Sequence, residues 1–279
     1  MEPRSYSPSP VGLNFAGMAY QSTSGGVAVD PSLPIDNVDA HLQGAVFGVG
    51  RTFPLLGRTA SMAALVPFVW GKVSGDVFEE QRSAERQGFA DSRLRLAVNL
   101  LGGPARSAAE FATREPAMTV GTSLTVILPT GEYMPDKLIN LGSNRWALKP
   151  EFGIYKPLGR WAVEASAGAW FYTDNRDFFG GSRRQQDPLA TAQLHVSYTF
   201  RPSLWVAVSG TWYGGGETTL DGVSKSDRQD NTRFGITMSV PVQRGLSLKL
   251  GWANGVTTRI GSAFQTLTAG LQYAWLSPR

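Results

Sequence analysis

The amino-acid sequence predicts an all-β fold, a transmembrane antiparallel up-and-down β-barrel of about twelve strands. Three observations predict it. Apolar and polar residues alternate with period two in segment after segment. Those segments run about 10 to 15 residues, whereas strands of soluble domains peak at about 5 to 6. Aromatic residues stand at both ends of the apolar faces, where a bilayer has its two interfaces.

The alternation is plainest from Trp161 to Phe171. Trp161, Val163, Ala165, Ala167, Ala169 and Phe171 form one face, and Ala162, Glu164, Ser166, Gly168 and Trp170 form the other. The same split recurs with Leu94, Leu96, Val98 and Leu100 against Arg93, Arg95, Ala97 and Asn99. It recurs again with Leu194, Val196, Tyr198 and Phe200 against Gln193, His195, Ser197 and Thr199, and with Leu246, Leu248, Leu250 and Trp252 against Ser247, Lys249 and Gly251. A soluble sandwich also alternates, so the aromatics decide. Trp161 and Phe171 share a face ten positions apart, roughly 23 Å of membrane normal at ~3.3 Å per residue and ~45° tilt. A barrel's apolar band is about 25 Å tall. The residues expected in the lipid-facing girdle are Trp146, Trp161, Phe171, Tyr198, Phe200, Trp212, Trp252, Tyr273 and Trp275.

Twelve such segments fall near 11–23, 38–53, 58–72, 88–102, 117–129, 144–156, 160–173, 189–201, 203–214, 230–242, 245–255 and 264–276. An even count puts both termini on one side. The connections alternate short (Pro54 to Gly57, Pro157 to Gly159, Arg201-Pro202, Val242 to Arg244) and long (24–37, 73–87, 130–143, 174–188, 215–229, 256–263), as short periplasmic turns and long outer loops do. The connection 103–116 breaks the rhythm, and its Ser107 to Ala112 stretch is expected to form a short periplasmic helix within 105–113. Residues 1–10 are expected to be a periplasmic N-terminal segment and 11–279 a single barrel. Closure is the physical logic, because hydrocarbon leaves no water to satisfy an open sheet edge.

Composition excludes several function classes. Charged residues make up 17% of the chain, below the ~25% usual in soluble domains. The absence of cysteine removes disulfides, thiolate metal sites and cysteine nucleophiles, and two isolated histidines, His41 and His195, give no metal signal. The net charge of +4 is dispersed rather than gathered into a basic run, which excludes a nucleic-acid partner. No stretch reaches the ~20 apolar residues of a spanning helix. Met1 is followed directly by Glu2-Pro3-Arg4 with no secretory leader, so Met1 is expected to stand where a leader has been removed. No cofactor is implied; the expected partners are outer-membrane lipid, lipopolysaccharide and a small-molecule solute.

Parity assigns the lumen. Asp91, Arg93, Arg95, Arg145, Lys149, Glu151, Glu164, Gln193, His195, Arg233 and Lys249 are expected to face inward, since an Arg or Lys facing lipid at mid-membrane costs about 2–4 kcal/mol. They would either plug the interior with ion pairs or form a constriction that selects solute. If the turn at Pro157–Arg160 sets the register, Glu164 lies beside Gly153 and diagonal to Glu151, a carboxylate pair that invites Arg93, Arg95 or Lys149 as counter-cation. Trp170, Tyr172, Trp205 and Tyr213 share the inward parity and could stack on an aromatic solute or pack against loops. A lipid hydrolase would need a serine near His195; Ser197 lies two positions along the strand, nearly 7 Å away, which fits poorly, and no Gly-x-Ser-x-Gly elbow exists. His41 is expected at a rim.

Several blocks resemble one family of barrels: Tyr6-Ser7-Pro8-Ser9-Pro10-Val11-Gly12-Leu13-Asn14-Phe15, Asp30-Pro31-Ser32-Leu33-Pro34-Ile35, Asn140-Leu141-Gly142-Ser143-Asn144-Arg145-Trp146 with Lys149-Pro150-Glu151, Phe171-Tyr172-Thr173-Asp174-Asn175 and Asp227-Arg228-Gln229-Asp230-Asn231. They look like the transporter family of the meta-cleavage pathway of phenol degradation. The resemblance covers nearly the whole chain and implies an outer-membrane barrel that passively imports aromatic or other hydrophobic compounds. The alternatives are a plugged structural or interaction barrel acting through its outer loops and a barrel lipid hydrolase.

Overall fold

The structure, a computed structural model, describes residues 2–28, 35–77 and 80–277. Twelve long strands form one antiparallel ring. In chain order they are β1 (Leu13–Ala28), β2 (Ile35–Leu55), β3 (Arg58–Val77), β4, β5 (Thr119–Ile127), β6 (Ala147–Leu158), β7 (Trp161–Tyr172), β8 (Leu189–Arg201), β9 (Leu204–Gly215), β10 (Gln229–Gln243), β11 (Leu246–Thr257) and β12 (Gln265–Leu276). Strand β4 runs in two pieces, Glu80–Phe89 and Arg93–Leu101, both paired with β3. Each strand pairs with its neighbours in sequence, and β1 closes the ring on β12 from Leu13↔Leu276 to Ser24↔Gln265. This is the fold the alternation predicts.

The faces are inverted relative to a soluble protein. Leu194 is 52% exposed while its neighbour His195 is 3% exposed. Among the described residues, buried polar side chains outnumber buried apolar ones, and the exposed set is rich in Leu, Val, Phe and Trp. Of the expected girdle, Trp146, Trp161, Phe171, Phe200, Trp212, Tyr273 and Trp275 are exposed; Tyr198 is half-buried because it packs edge-on against Trp161 and Phe200, each at 4.9 Å, and Trp252 packs against Phe234 at 6.2 Å.

Strands β2 and β3 turn through Leu56 and Gly57, both with positive φ (48° and 74°), the twist that two-residue hairpins need. The β6–β7 turn is equally tight, with Leu158 opposite Trp161. That shifts the register from the one expected: Glu164 lies opposite Tyr155, not Gly153, and Glu151 lies opposite Gly168. The two carboxylates are therefore not diagonal neighbours.

The outer ends are longer than expected. Expected loops 24–37 and 73–87 are largely strand, because β1 runs to Ala28, β2 starts at Ile35, β3 runs to Val77 and β4 starts at Glu80. Asp30 to Pro34, Phe78 and Glu79 lie outside the described residues. Strand β2 has 21 residues, about 49 Å of rise at ~3.3 Å per residue and ~45° tilt, so its upper part stands clear of the apolar band and can be polar on both faces. On the opposite side, the 174–188 and 215–229 connections are not irregular either. Asn175–Phe178, Ser182–Gln186, Thr218–Leu220 and Val223–Ser224 pair into a four-stranded sheet of their own.

Two features lie at the base. The connection after β4 carries the expected helix, α1 (Ala108–Ala112), started by a capping box of Ser107 and Glu110, and it docks on the β2–β3 turn through Ala105 N–H to Gly57 O (3.0 Å). The N-terminal segment departs from expectation. Residues 2–12 do not hang below the barrel but turn into it, and Tyr6 is 2% exposed among lumen side chains. The reason is polar satisfaction: Glu151, Glu164 and Ser123 face inward, and the segment supplies donors to them.

Candidate functional site

The site is the lumen and the segment seated in it. The segment is held where it enters, by Val11 N–H to Arg106 O (2.9 Å), Gly12 N–H to Thr52 O (2.9 Å) and the Thr52 hydroxyl to Pro10 O (2.6 Å). Its tip is held by side chains of the wall. The Glu164 carboxylate accepts from the backbone N–H groups of Ser5 (3.2 Å) and Tyr6 (3.1 Å). The Tyr6 hydroxyl lies 3.0 Å from both Ser123 Oγ and Glu151 Oε1. Gly121 and Gly153, cross-strand partners on β5 and β6, leave the recess that the Tyr6 ring fills. Arg4 stacks 4.7 Å over Trp205 and donates to Ser197 Oγ (3.3 Å) and Thr199 Oγ1 (2.5 Å).

Glu151 is the hub of the charged wall. Lys149 Nζ lies 2.6 Å and Arg95 Nη2 4.0 Å from its carboxylate, and Gln193 Nε2 donates to it at 3.4 Å. Of the expected counter-cations, Lys149 and Arg95 therefore pair with Glu151 alone, while Tyr6 bridges the two carboxylates, its N–H on Glu164 and its hydroxyl on Glu151. His195 pairs through Nδ1 with Ser209 Oγ (2.8 Å), and lies across from Glu164. Ser197 is engaged by Arg4 rather than by His195. Both serines are buried, Ser197 at 3% and Ser209 at 1% exposure.

Arg93 and Lys249 line the lumen cavity and have no carboxylate within ion-pair distance among the described residues. Three expected lumen charges lie nearer the outer end. Asp91 sits in the break of β4 and clamps the 128–146 loop, accepting from Gly131 N–H (2.9 Å) and from Ser143 N–H (2.8 Å) and Oγ (2.5 Å). Arg145 stacks 4.4 Å over Tyr172 and donates to Gln186 Oε1; burial, and then neighbouring Arg184, bring its guanidinium down to about 10. Arg233 donates to Phe264 O at 3.1 Å, while its Nε is buried without a partner.

Of the four inward aromatics, Trp170 and Tyr213 line the lumen, Trp170 lying 5.5 Å below Lys149. Trp205 and Tyr172 are covered by Arg4 and Arg145. His41 is exposed near the outer end of β2. Among the described residues, no cluster of three potential metal ligands exists.

Above the segment lies a cavity of about 730 Å³. Its two sides differ. Strands β1–β3 contribute mainly Leu13, Phe15, Ala19, Val46, Ala63 and Leu65, with Thr52, Thr59 and Ser61, while β4, β6, β8, β9 and β11 contribute Arg93, Arg95, Lys149, Glu151, Gln193, Tyr213 and Lys249. Sequence reasoning found the charged side and missed Arg4, Tyr6, Gly121 and Gly153. A non-alternating tail carries no periodicity to place it, and an inward glycine pair signals a recess only once the register is known.

The class that this architecture defines is a closed transmembrane β-barrel with a segment folded into its lumen. The chain belongs to the family described as "Putative MetA-pathway of phenol degradation", whose profile matches residues 21–272. The crystal structure of an outer membrane channel from Pseudomonas putida F1 is similar with a TM-score of 0.83 at 24% identity, over 99% of this chain and 100% of that one. The β domain of the Bordetella autotransporter BrkA is similar at 0.54 and 12% identity, over 95% of this chain and 100% of that one. The transport unit of the autotransporter AIDA-I from Escherichia coli is similar at 0.53 and 10%, over 100% and 93%. At these identities the likeness is one of fold. None of the curated proteins compared matches the chain.

Proposed function

We propose that this barrel sits in the bacterial outer membrane, among its lipid and lipopolysaccharide, and passively passes small hydrophobic or aromatic molecules through its lumen. The observation that carries the reading is the cavity of about 730 Å³ with an apolar side, a size suited to small-molecule ligands. No covalent step, cofactor or energy source enters. Solute is captured between the outer loops, lies against β1–β3 and moves down its gradient once the N-terminal segment yields. Burial of one tyrosine is worth roughly 1.5–3 kcal/mol and each hydrogen bond to a carboxylate about 1.5–3, before the cost of ordering the segment is subtracted. A closed state held by only a few kcal/mol leaves a minor open population that solute can enlarge.

A second reading, a plugged structural barrel, is favoured by the buried seat of Tyr6. Planar-bilayer recordings on the wild type and Tyr6→Ala, with proteoliposome swelling in small solutes, separate the two. The conduit reading expects current in both and a larger one in Tyr6→Ala. Silence in both, with the barrel folded by heat-modifiable migration, leaves the plugged barrel standing and removes the conduit.

A further inference from the structure

The charge in the lumen is unbalanced, and its placement is specific. Five cationic side chains line the cavity (Arg4, Arg93, Arg95, Lys149 and Lys249) against three carboxylates (Glu2, Glu151 and Glu164). Two of the carboxylates are already committed: Glu151 to Lys149 and Arg95, Glu164 to the backbone of the N-terminal segment. Arg4 is spent on Trp205, Ser197 and Thr199. That leaves Arg93 and Lys249 without an ion-pair partner among the described residues.

These two cations bracket the apolar side. A continuous row of backbone partners runs Arg93, Leu65, Gly48, Gly17, Gln272, Ser247. It begins at Arg93 on β4, crosses β3, β2, β1 and β12, and ends on β11 one inward position from Lys249. Between the cations the wall is small and greasy on β1–β3, with Gly17 directly opposite Gly48 and Leu65 and Phe15 as its largest apolar groups, and it turns polar at Gln272 and Ser247 on the Lys249 side.

We propose that the solute is an amphipathic organic anion, an aryl or aliphatic carboxylate whose head is drawn by Arg93 and Lys249 while its tail lies on the β1–β3 wall. This rests on the conduit reading above. A neutral solute would use only the wall and leave both cations to water, and an ammonium head would be repelled by the excess positive charge. The carboxylate alone satisfies both halves of the cavity, and the guanidinium offers it a bidentate fork.

The test uses three probes with one tail, 4-phenylbutyrate, 4-phenylbutan-1-ol and 4-phenylbutylammonium, titrated into the full chain in nanodiscs against empty nanodiscs. The carboxylate is expected to bind roughly fivefold to tenfold tighter than the alcohol, the scale of one or two solvent-screened ion pairs, and the ammonium most weakly. In the double variant Arg93→Gln/Lys249→Gln the carboxylate falls to the alcohol's affinity; Arg93→Lys, which keeps the charge, retains the preference and controls for misfolding. Equal binding of carboxylate and alcohol, or tightest binding of the ammonium, overturns the anion inference and leaves a conduit for hydrophobic solutes intact. No binding of any of the three overturns both.

Discussion

The Tyr6 ring lies directly on Gly153, so closely that a Cβ at residue 153 would stand 2.2 Å from a ring carbon. Its cross-strand partner Gly121 is scarcely less tight, at 2.8 Å. The segment is therefore seated by absence of side chain as much as by hydrogen bonds. Gly153→Ala is expected to unseat it, since a clash of this size costs about 1–3 kcal/mol and raises an open population roughly fivefold to a hundredfold. Single-channel recording should show longer or larger openings, and protease should cut the N-terminal segment faster. Unchanged current and cleavage would mean that the ring does not need this recess.

Removing the hub of the charged wall has an electrostatic signature. Glu151 is 4% exposed and holds Lys149, Arg95 and the Tyr6 hydroxyl. Glu151→Gln leaves two lumen cations uncompensated, a change that costs up to about 3–5 kcal/mol for a fully buried pair and less beside lumen water. The reversal potential in a KCl gradient should move toward that of chloride. A shift toward potassium contradicts the assignment.

The outer sheet should loosen in acid. Asp174 accepts from Arg183 Nε at 2.8 Å, and Asp221 accepts from the Arg183 N–H at 2.7 Å. The Arg183 side chain holds Asp174, and the Arg183 backbone N–H holds Asp221, below the ordinary carboxylate range. A lowered folded value means the stabilisation is present above the unfolded value and is lost as pH falls through the folded one. Hydrogen exchange across 182–186 should accelerate below about pH 4, while the barrel strand 189–201 stays protected. Uniform exchange across both would refute the local assignment.

Face polarity can be reversed at one pair of neighbours. Leu194→Arg puts a cation into the apolar band and should cost about 2–4 kcal/mol, visible as poor folding into vesicles. Gln193→Arg, one residue away on the lumen face, should fold nearly as the wild type does.

Much of this was legible in the residues. Period-two alternation placed β8 at 189–201 with the bounds the structure gives, because each of its side chains meets either lipid or lumen. The same rule failed above the membrane, where Asp39, His41 and Gln43 hold the outward parity of β2, that of Phe47 and Val49 below them, but are polar because water rather than lipid meets them, although the backbone still pairs. Register was legible only in part. The β6–β7 turn closes between Leu158 and Trp161, one residue further along the chain than the Pro157–Arg160 turn that would have set Glu164 beside Gly153. The charged wall followed from parity; which of its charges are neutralised did not, because Glu151 is reached by Lys149 along its own strand, by Arg95 from β4 and by Tyr6 from the tail.

The N–H of Ser277 donates to Gly12 O at 2.9 Å, and Asn14 Nδ2 reaches Ser277 Oγ at 3.0 Å. The seam of the ring thus brings the start of β1 and the end of β12 to one doorway, beside the stem of the segment seated in the lumen. A circularly permuted version, opened at an outer hairpin and joined by a linker from the end of β12 to the head of the segment, would keep all twelve staves of the barrel. It would also change the stopper from a flap hinged at one end into a crossbar fastened at both.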